Sequence, residues 1–138
     1  MKKIKLFFVF LMLVMGGLFF SSCSKDDKIE EVEKSLDGTI WRGIAFYTYD
    51  DGREYSITTT VYFYEKQCSV ITDSPSIKKT YIYDYTYNHP KATLIPVDNY
   101  YYIGTINATV NNNKMSLFDT YKEETIIVTL VSGKNNIR

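Results

Sequence analysis

The sequence predicts an all-β protein, a single eight-stranded antiparallel up-and-down barrel preceded by a signal peptide and a short N-terminal helix. Two observations support this fold class. After Gly38, apolar and polar residues alternate with a period of two, which is typical of strands with one buried face. Turn residues interrupt these runs at close to regular intervals, which favours consecutive hairpins. We expect the sheet to close, because a barrel has no exposed strand edges.

The predicted strands are bounded by residues that favour turns. They span about residues 39–49, 54–65, 68–72, 79–87, 92–97, 100–110, 114–121 and 125–132. The first connection, Asp50-Asp51-Gly52, predicts a type I′ hairpin, since Asp-Gly tolerates the positive φ angles of that turn. Asn111-Asn112-Asn113 predicts a second tight turn.

The N-terminus has the pattern of a signal peptide, predicted to cover residues 1–22. Lys2, Lys3 and Lys5 form a positive region, and an apolar run follows from Leu6 to Phe20. Because this run is shorter than the roughly 20 residues that a membrane-spanning helix needs, we interpret it as a cleaved leader.

Small residues stand directly before a cysteine at the end of the leader. Phe20-Ser21-Ser22-Cys23 resembles the lipobox of bacterial lipoproteins. The resemblance implies that the Cys23 thiol carries a lipid and that cleavage makes Cys23 the N-terminus. The alternative is an ordinary secretory signal with a coincidental cysteine.

A short charged segment follows this cysteine. Lys25, Asp26 and Asp27 resemble the export signal with which Bacteroidota place lipoproteins on the outer face of the outer membrane. The resemblance implies cell-surface exposure, with a periplasm-facing anchor as the alternative. A solvated tether beside a membrane would favour such residues in any case.

Residues 23–35 are predicted to form the lipidated tether and a short helix. Ile29, Val32 and Leu36 are spaced as one apolar helix face, Asp27 is a plausible N-cap, and Gly38 is a plausible stop. This segment is expected to plug one end of a barrel that spans residues 36–132. Residues 133–138 form a polar tail.

Charge and cysteine content narrow the function classes. Without the three leader lysines, 13 Lys and Arg stand against 16 Asp and Glu, so binding of nucleic acid is disfavoured. If Cys23 carries lipid, Cys68 has no partner for a disulfide, and we expect it to be a small buried apolar residue. His89, the one histidine, lies in a predicted turn. We therefore predict no catalytic residues, no metal ligands and no cofactor.

The first strand carries a family resemblance. Gly38-Thr39-Ile40-Trp41-Arg42-Gly43 resembles the Gly-Thr-x-Trp-x-Gly opening of lipocalin-like β-barrel lipoproteins. The resemblance implies that Trp41 packs low in the barrel against the closing segment, and that the barrel holds one small ligand. Gly43 is predicted to mark a β-bulge, which would place Trp41, Ile44 and Phe46 on one face.

Inward rows can be assigned on three strands. Tyrosines alternate on the fourth strand with a row that includes Asp84, whose burial without a partner would be costly, so the tyrosine row is expected to face inward. Such rings can line a pocket for an amphipathic ligand, or they can simply form cross-strand pairs. The expected inward residues are Tyr81, Tyr83, Tyr85 and Tyr87 on that strand, Ile57, Thr59, Val61 and Phe63 on the second, and Ile126, Val128 and Leu130 on the eighth.

Three function classes remain. The first is an outer-membrane-anchored, non-catalytic binding module for a small apolar or amphipathic molecule, for which the candidate ligand contacts are Trp41, Phe63, Tyr83, Tyr85 and Tyr102. The second is an envelope interaction or accessory protein with a filled barrel, which binds another protein or a surface polymer. An enzyme is the least favoured class.

Overall fold

A computed structural model describes residues 32–99 and 102–133. The predicted signal peptide, Cys23, the segment from Lys25 to Asp27 and nearly all of the polar tail lie outside these ranges. Within them, no helix has the length and apolar character needed to cross a membrane.

The described chain forms eight antiparallel strands, each paired with the next, and β8 pairs with β1 to close a barrel. The predicted fold class is therefore confirmed. The strands are β1 (Ile40–Thr48), β2 (Glu54–Phe63), β3 (Gln67–Asp73), β4 (Lys78–Asn88), β5 (Lys91–Pro96), β6 (Ile106–Asn111), β7 (Lys114–Asp119) and β8 (Glu124–Ser132).

Alternating residues on each strand fill the barrel, because successive side chains of a strand point to opposite faces. The predicted inward rows of β4 and β8 are confirmed, since their members are buried or packed against the core. In the β2 row, Thr59, Val61 and Phe63 are buried, whereas Ile57 is half-buried. The five largest fully buried side chains come from four different strands and from the N-terminal segment. They are Trp41, Phe63, Tyr83, Leu36 and Leu94.

One end of the barrel, the closed end, is covered by the segment before β1. Residues 32–34 are helical, and the Val32 and Leu36 side chains are buried. The Tyr87 hydroxyl donates to the Val32 carbonyl (2.9 Å), and the Gly38 N–H donates to the Phe63 carbonyl (2.9 Å). The plug predicted from the spacing of apolar residues is confirmed for its described part, while Asp27 and Ile29 lie outside the described residues.

The predicted bulge at Gly43 is wrong. β1 pairs with β2 without a register shift, so Trp41 faces inward while Ile44 and Phe46 face outward and are exposed. A Cβ atom at Gly43 would lie 2.1 Å from the Ile127 carbonyl oxygen. Gly43 therefore permits a close approach of β8, and the irregularity in the β1 and β8 pairing lies between Ile40 and Trp41.

The β1–β2 hairpin is confirmed, but its predicted turn type is wrong. Gly52 has a φ of 85°, its N–H donates to the Tyr49 carbonyl (2.9 Å), and the Tyr49 N–H donates to the Arg53 carbonyl (2.8 Å). Asp51 is not among the residues with positive φ, whereas a type I′ turn requires two. The connection is a three-residue loop that ends in a left-handed glycine. The predicted tight turn after β6 is confirmed, with Asn112 at φ 55°.

β6 begins at Ile106, six residues later than predicted. Residues 102–105 belong to a loop that connects β5 and β6 and contacts the β7–β8 turn. The Thr120 N–H donates to the Thr105 carbonyl (3.0 Å), and a Cβ atom at Gly104 would lie 2.6 Å from the Tyr121 nitrogen. The loop therefore depends on a contact with a distant turn, at the end opposite the plug. We call this the open end.

Candidate functional site

A cavity of about 150 Å³ lies at the open end of the barrel. Its walls come from the inner faces of six strands, the β5–β6 loop and the β7–β8 turn. The lining residues are Thr59, Val70, Thr72, Lys79, Tyr81, Tyr83, Tyr102, Ile103, Ile106, Leu117, Asp119, Lys122 and Ile126.

The size of this cavity limits what it can hold. An apolar cavity of about 150 Å³ takes a molecule the size of benzene, whereas sites for drug-sized ligands measure about 300–1,000 Å³. The barrel is thus filled over most of its length and open over a short depth, which suits one ring or a short chain.

Strand β4 supplies a row that leads from the rim into the cavity. Lys79, Tyr81 and Tyr83 occupy alternate positions, so their side chains follow one another along the inner face. Their first and last Cα atoms are about 13 Å apart, because a strand rises about 3.3 Å per residue. The row changes from a charged group at the rim to a phenol at the floor.

Tyr83 and Thr59 are the most enclosed polar side chains of the cavity, each with 2% of its surface exposed. Burial, followed by the negative charge of Asp119, raises the pKa of the Tyr83 hydroxyl above its ordinary value, so this hydroxyl stays protonated. The hydroxyl makes no hydrogen bond to a described residue. Since no buried side-chain oxygen or nitrogen in the described part lacks a partner, the Tyr83 oxygen must retain access to the cavity.

Asp119 ends β7 and is held in place by the turn that follows. Its Oδ1 atom accepts hydrogen bonds from the backbone N–H groups of Tyr121 (2.9 Å) and Lys122 (3.3 Å). A short polar side chain that bonds to the backbone two and three residues ahead is typical of turns. The same turn places Lys122 at the cavity.

Positive charge prevails at the mouth of the cavity. Lys79 and Lys122 are exposed there, and neither ammonium group forms an ion pair with a described residue. Asp119 is the acidic lining residue. The described lining therefore carries one excess positive charge beside an apolar interior that Ile103, Ile106 and other aliphatic residues form.

The predicted ligand contacts divide between the two ends of the barrel. Tyr83 and Tyr102 line the cavity, and the Tyr102 ring meets Tyr121 edge to face at 6.1 Å. Trp41, Phe63 and Tyr85 do not line it.

These three residues lie towards the closed end. The Phe63 and Tyr85 rings meet edge to face at 4.9 Å, and the Tyr85 hydroxyl donates to the Tyr64 carbonyl (2.8 Å). Trp41 donates its indole N–H to Thr39 (2.9 Å). The side-chain polar atoms of Trp41 and Tyr85 therefore have hydrogen-bond partners, in contrast to the hydroxyl of Tyr83.

Sequence reasoning missed the charged members of the cavity. Lys79 shares the alternation of the tyrosines on β4, and that signal was enough to find it. Asp119 and Lys122 lie beside a turn on the far side of the barrel, and no local pattern associates them with β4. Only the register of the closed sheet brings them to the same end.

The remaining reactive groups lie away from the cavity. Cys68 is fully buried, as predicted, and burial raises the pKa of its thiol to about 12. His89 lies in the β4–β5 turn, where its Nδ1 atom is 2.7 Å from the Tyr87 hydroxyl. In the described ranges, no three His, Cys, Asp or Glu side chains come together as a metal site would require.

A second aromatic cluster lies at the rim of the open end. The Tyr55 ring stacks on Tyr47 (5.5 Å) and on Tyr49 (4.3 Å), and the Arg53 guanidinium lies 5.4 Å from the centre of the Tyr49 ring. The Tyr47 hydroxyl donates to Glu124, which joins β1 to β8 beyond their backbone pairing. These contacts stabilise the rim.

The outer faces of β1 and β8 carry exposed apolar side chains. Ile44 is 57% exposed and Phe46 78% exposed on β1, and Ile127 and Val131 are exposed on β8. Because the two strands are neighbours, we call these four residues the seam patch. Apolar surface of this kind can bind another protein when it is continuous over several hundred Å².

Comparison of the chain with protein-family models, with curated proteins and with solved structures finds no match. The class of protein is therefore inferred from the geometry of the barrel and its cavity. An eight-stranded antiparallel barrel, plugged at one end and hollow at the other, suits a binding module.

Proposed function

We propose that the protein is a lipid-anchored outer-membrane lipoprotein whose barrel binds a small amphipathic molecule at its open end. The observation that carries the binding proposal is the hydroxyl of Tyr83, a donor that faces an apolar cavity and has no partner among the described residues. A buried tyrosine hydroxyl normally has a hydrogen-bond partner. A bound molecule that accepts this bond would satisfy it.

The anchoring proposal is supported by the sequence before the barrel. Cys23 follows a lipobox-like sequence, and Val32 packs at the closed end, so a lipid on Cys23 would hold that end nearest the membrane. The intervening segment spans at most about 30 Å. The cavity would then face away from the membrane and receive molecules from the surrounding medium.

Lys25, Asp26 and Asp27 support a position on the cell surface. Replacing all three with alanine should retain the lipid and remove the protein from the reach of a protease added to intact cells. An unchanged sensitivity to that protease would favour a signal elsewhere or a periplasm-facing anchor.

The binding proposal is tested by filling the cavity. Ile103 lines it, so Ile103→Trp should abolish binding of ring-sized and short-chain probes to the purified full chain, measured by NMR titration. Ile95 is exposed on the outer face of β5, and Ile95→Trp is the matched control. Binding that survives Ile103→Trp, or no binding of any probe to the unmodified chain, would contradict the proposal.

A second candidate function is an envelope interaction protein, and the seam patch favours it. Phe46 is the most exposed large apolar residue of the described chain, and most of the barrel interior is filled. If this function is the correct one, Phe46→Ser should release a co-purifying protein or polymer, whereas Ile103→Trp should have no effect.

A further inference from the structure

We propose that the ligand of the open-end cavity is a compact aromatic acid with a hydroxyl group on its ring. This inference rests on the proposed binding function and names the chemistry of the ligand. It follows from three features of the described lining: the size of the cavity with its aromatic walls, the polar pair of Tyr83 and Asp119, and the charge at its mouth.

The volume and the walls indicate an aromatic ring. About 150 Å³ accommodates a benzene-sized group and is too small to enclose a long acyl chain, which has at least about twice as many carbon atoms. Tyr81, Tyr83 and Tyr102 all contribute to the lining, and aromatic pairs gain stability beyond the area that they bury. A ring therefore fits the space better than an aliphatic group of equal volume.

The pair of Tyr83 and Asp119 indicates that the ligand carries a hydroxyl group. The Tyr83 hydroxyl and the Asp119 carboxylate both line the cavity, and the hydroxyl stays protonated there and can donate. A carboxylate accepts hydrogen bonds and a hydroxyl group both donates and accepts them. A ligand hydroxyl between these residues accepts from Tyr83 and donates to Asp119, so that both protein groups are satisfied.

The positive charge at the mouth of the cavity indicates that the ligand is an acid. Lys79 is the rim residue of the β4 row and Lys122 is the rim residue of the β7–β8 turn. Neither ammonium group is neutralised by an ion pair with a described residue. An acid group on the opposite side of the ring from the hydroxyl would face these two charges, while the ring lies along the row from Lys79 to Tyr83.

The test compares 4-hydroxybenzoate with benzoate, which lacks its hydroxyl group, and with phenol, which lacks its carboxylate. Dissociation constants for the purified full chain are measured by NMR titration, with laurate as a long-chain probe. We expect 4-hydroxybenzoate to bind most tightly and laurate to bind outside the cavity or not at all.

Two sets of variants separate the contributions. Tyr83→Phe removes only the hydroxyl, so it should raise the dissociation constant of 4-hydroxybenzoate by about tenfold and change that of benzoate by less than about twofold. Tyr85→Phe is the matched control, because the Tyr85 hydroxyl bonds to Tyr64 away from the cavity. The combined Lys79→Gln and Lys122→Gln change should weaken the binding of both acids and leave the binding of phenol unaffected. Lys91→Gln on β5 is the control for this pair of changes.

The possible failures are distinguishable. If phenol or laurate binds in the cavity and the two acids bind no better, the inference about the ligand is overturned while the binding function stands. Equal loss of benzoate and 4-hydroxybenzoate in Tyr83→Phe would overturn the role of the hydroxyl pair. If none of the four probes binds, both the inference and the proposed function are overturned.

Discussion

The indole N–H of Trp41 donates a hydrogen bond to the hydroxyl of Thr39 at 2.9 Å, inside the closed end of the barrel. That hydroxyl donates in turn to the Leu36 carbonyl at 2.5 Å. All three residues are buried. One threonine oxygen thus connects the plug to the largest side chain of the core.

Replacing Thr39 with valine should lower the free energy of unfolding by about 1–3 kcal/mol, because the change leaves the buried Trp41 N–H without its hydrogen-bond partner, while the Leu36 carbonyl keeps only the Thr39 N–H (3.0 Å). Thr48→Val, on the exposed face of β1, is the control and should change stability by less than about 0.5 kcal/mol. Chemical denaturation measures both variants. Equal effects would show that the chain of hydrogen bonds does not stabilise the plug.

Gly43→Ala should destabilise the barrel more than a glycine replacement where the added Cβ has room. The added Cβ atom would lie 2.1 Å from the Ile127 carbonyl oxygen, so β1 and β8 must move apart where the sheet closes. We expect a loss of about 1–3 kcal/mol, the range for overpacked sites. Gly133→Ala is the control, since no atom of the described residues lies within 4 Å of its added Cβ. A neutral Gly43→Ala variant would contradict the close approach.

Cys23→Ser should give a protein that no longer incorporates labelled fatty acid and that leaves the membrane fraction after a high-salt wash. The physical reason is that serine lacks the thiol on which the lipid is placed. Cys68→Ser is the control and should keep the label, because Cys68 lies in the core. Label on the Cys23→Ser protein would disprove the anchoring proposal.

Stability should fall as the pH rises from about 9 to 12. Burial raises the pKa of Cys68 from 9.0 to about 12, so across this window the unfolded chain loses the thiol proton while the folded chain keeps it. The contribution of this pKa difference to the free energy of unfolding is fully present below pH 9. It is lost as the pH rises towards the pKa of the thiol in the folded chain, about 12. Cys68→Ala should have a flatter profile of unfolding free energy against pH. Parallel profiles for the two proteins would contradict the shift.

The parts of the fold that were predicted from the sequence depend on local signals. Alternation placed Tyr83 on the inner face of β4, and Asn112 marked the turn after β6, because side-chain period and turn chemistry are properties of a few adjacent residues. The plug followed from the spacing of Val32 and Leu36 for the same reason.

The errors arose where distant segments decide the local structure. Gly43 is adapted to the carbonyl of Ile127, a residue that joins it only on closure of the barrel. The late start of β6 depends on the contact between Gly104 and the β7–β8 turn. Asp119 lies at the cavity only because of the register of the closed sheet, which no local pattern reveals. The tyrosine row of β4 therefore predicted one side of the cavity but not the charged residues on the opposite side.

The binding role of the open-end cavity is tested most directly by methyl NMR of the full chain during titration with 4-hydroxybenzoate. Ile126 lines the cavity and its neighbour Ile127 faces outward, so the two methyl signals report opposite sides of one strand. We predict saturable shifts at Ile103, Ile106 and Ile126, with Ile127 and Ile44 unchanged. Shifts confined to Ile44 and Ile127, or no shift at any of the five, would contradict a binding site inside the barrel.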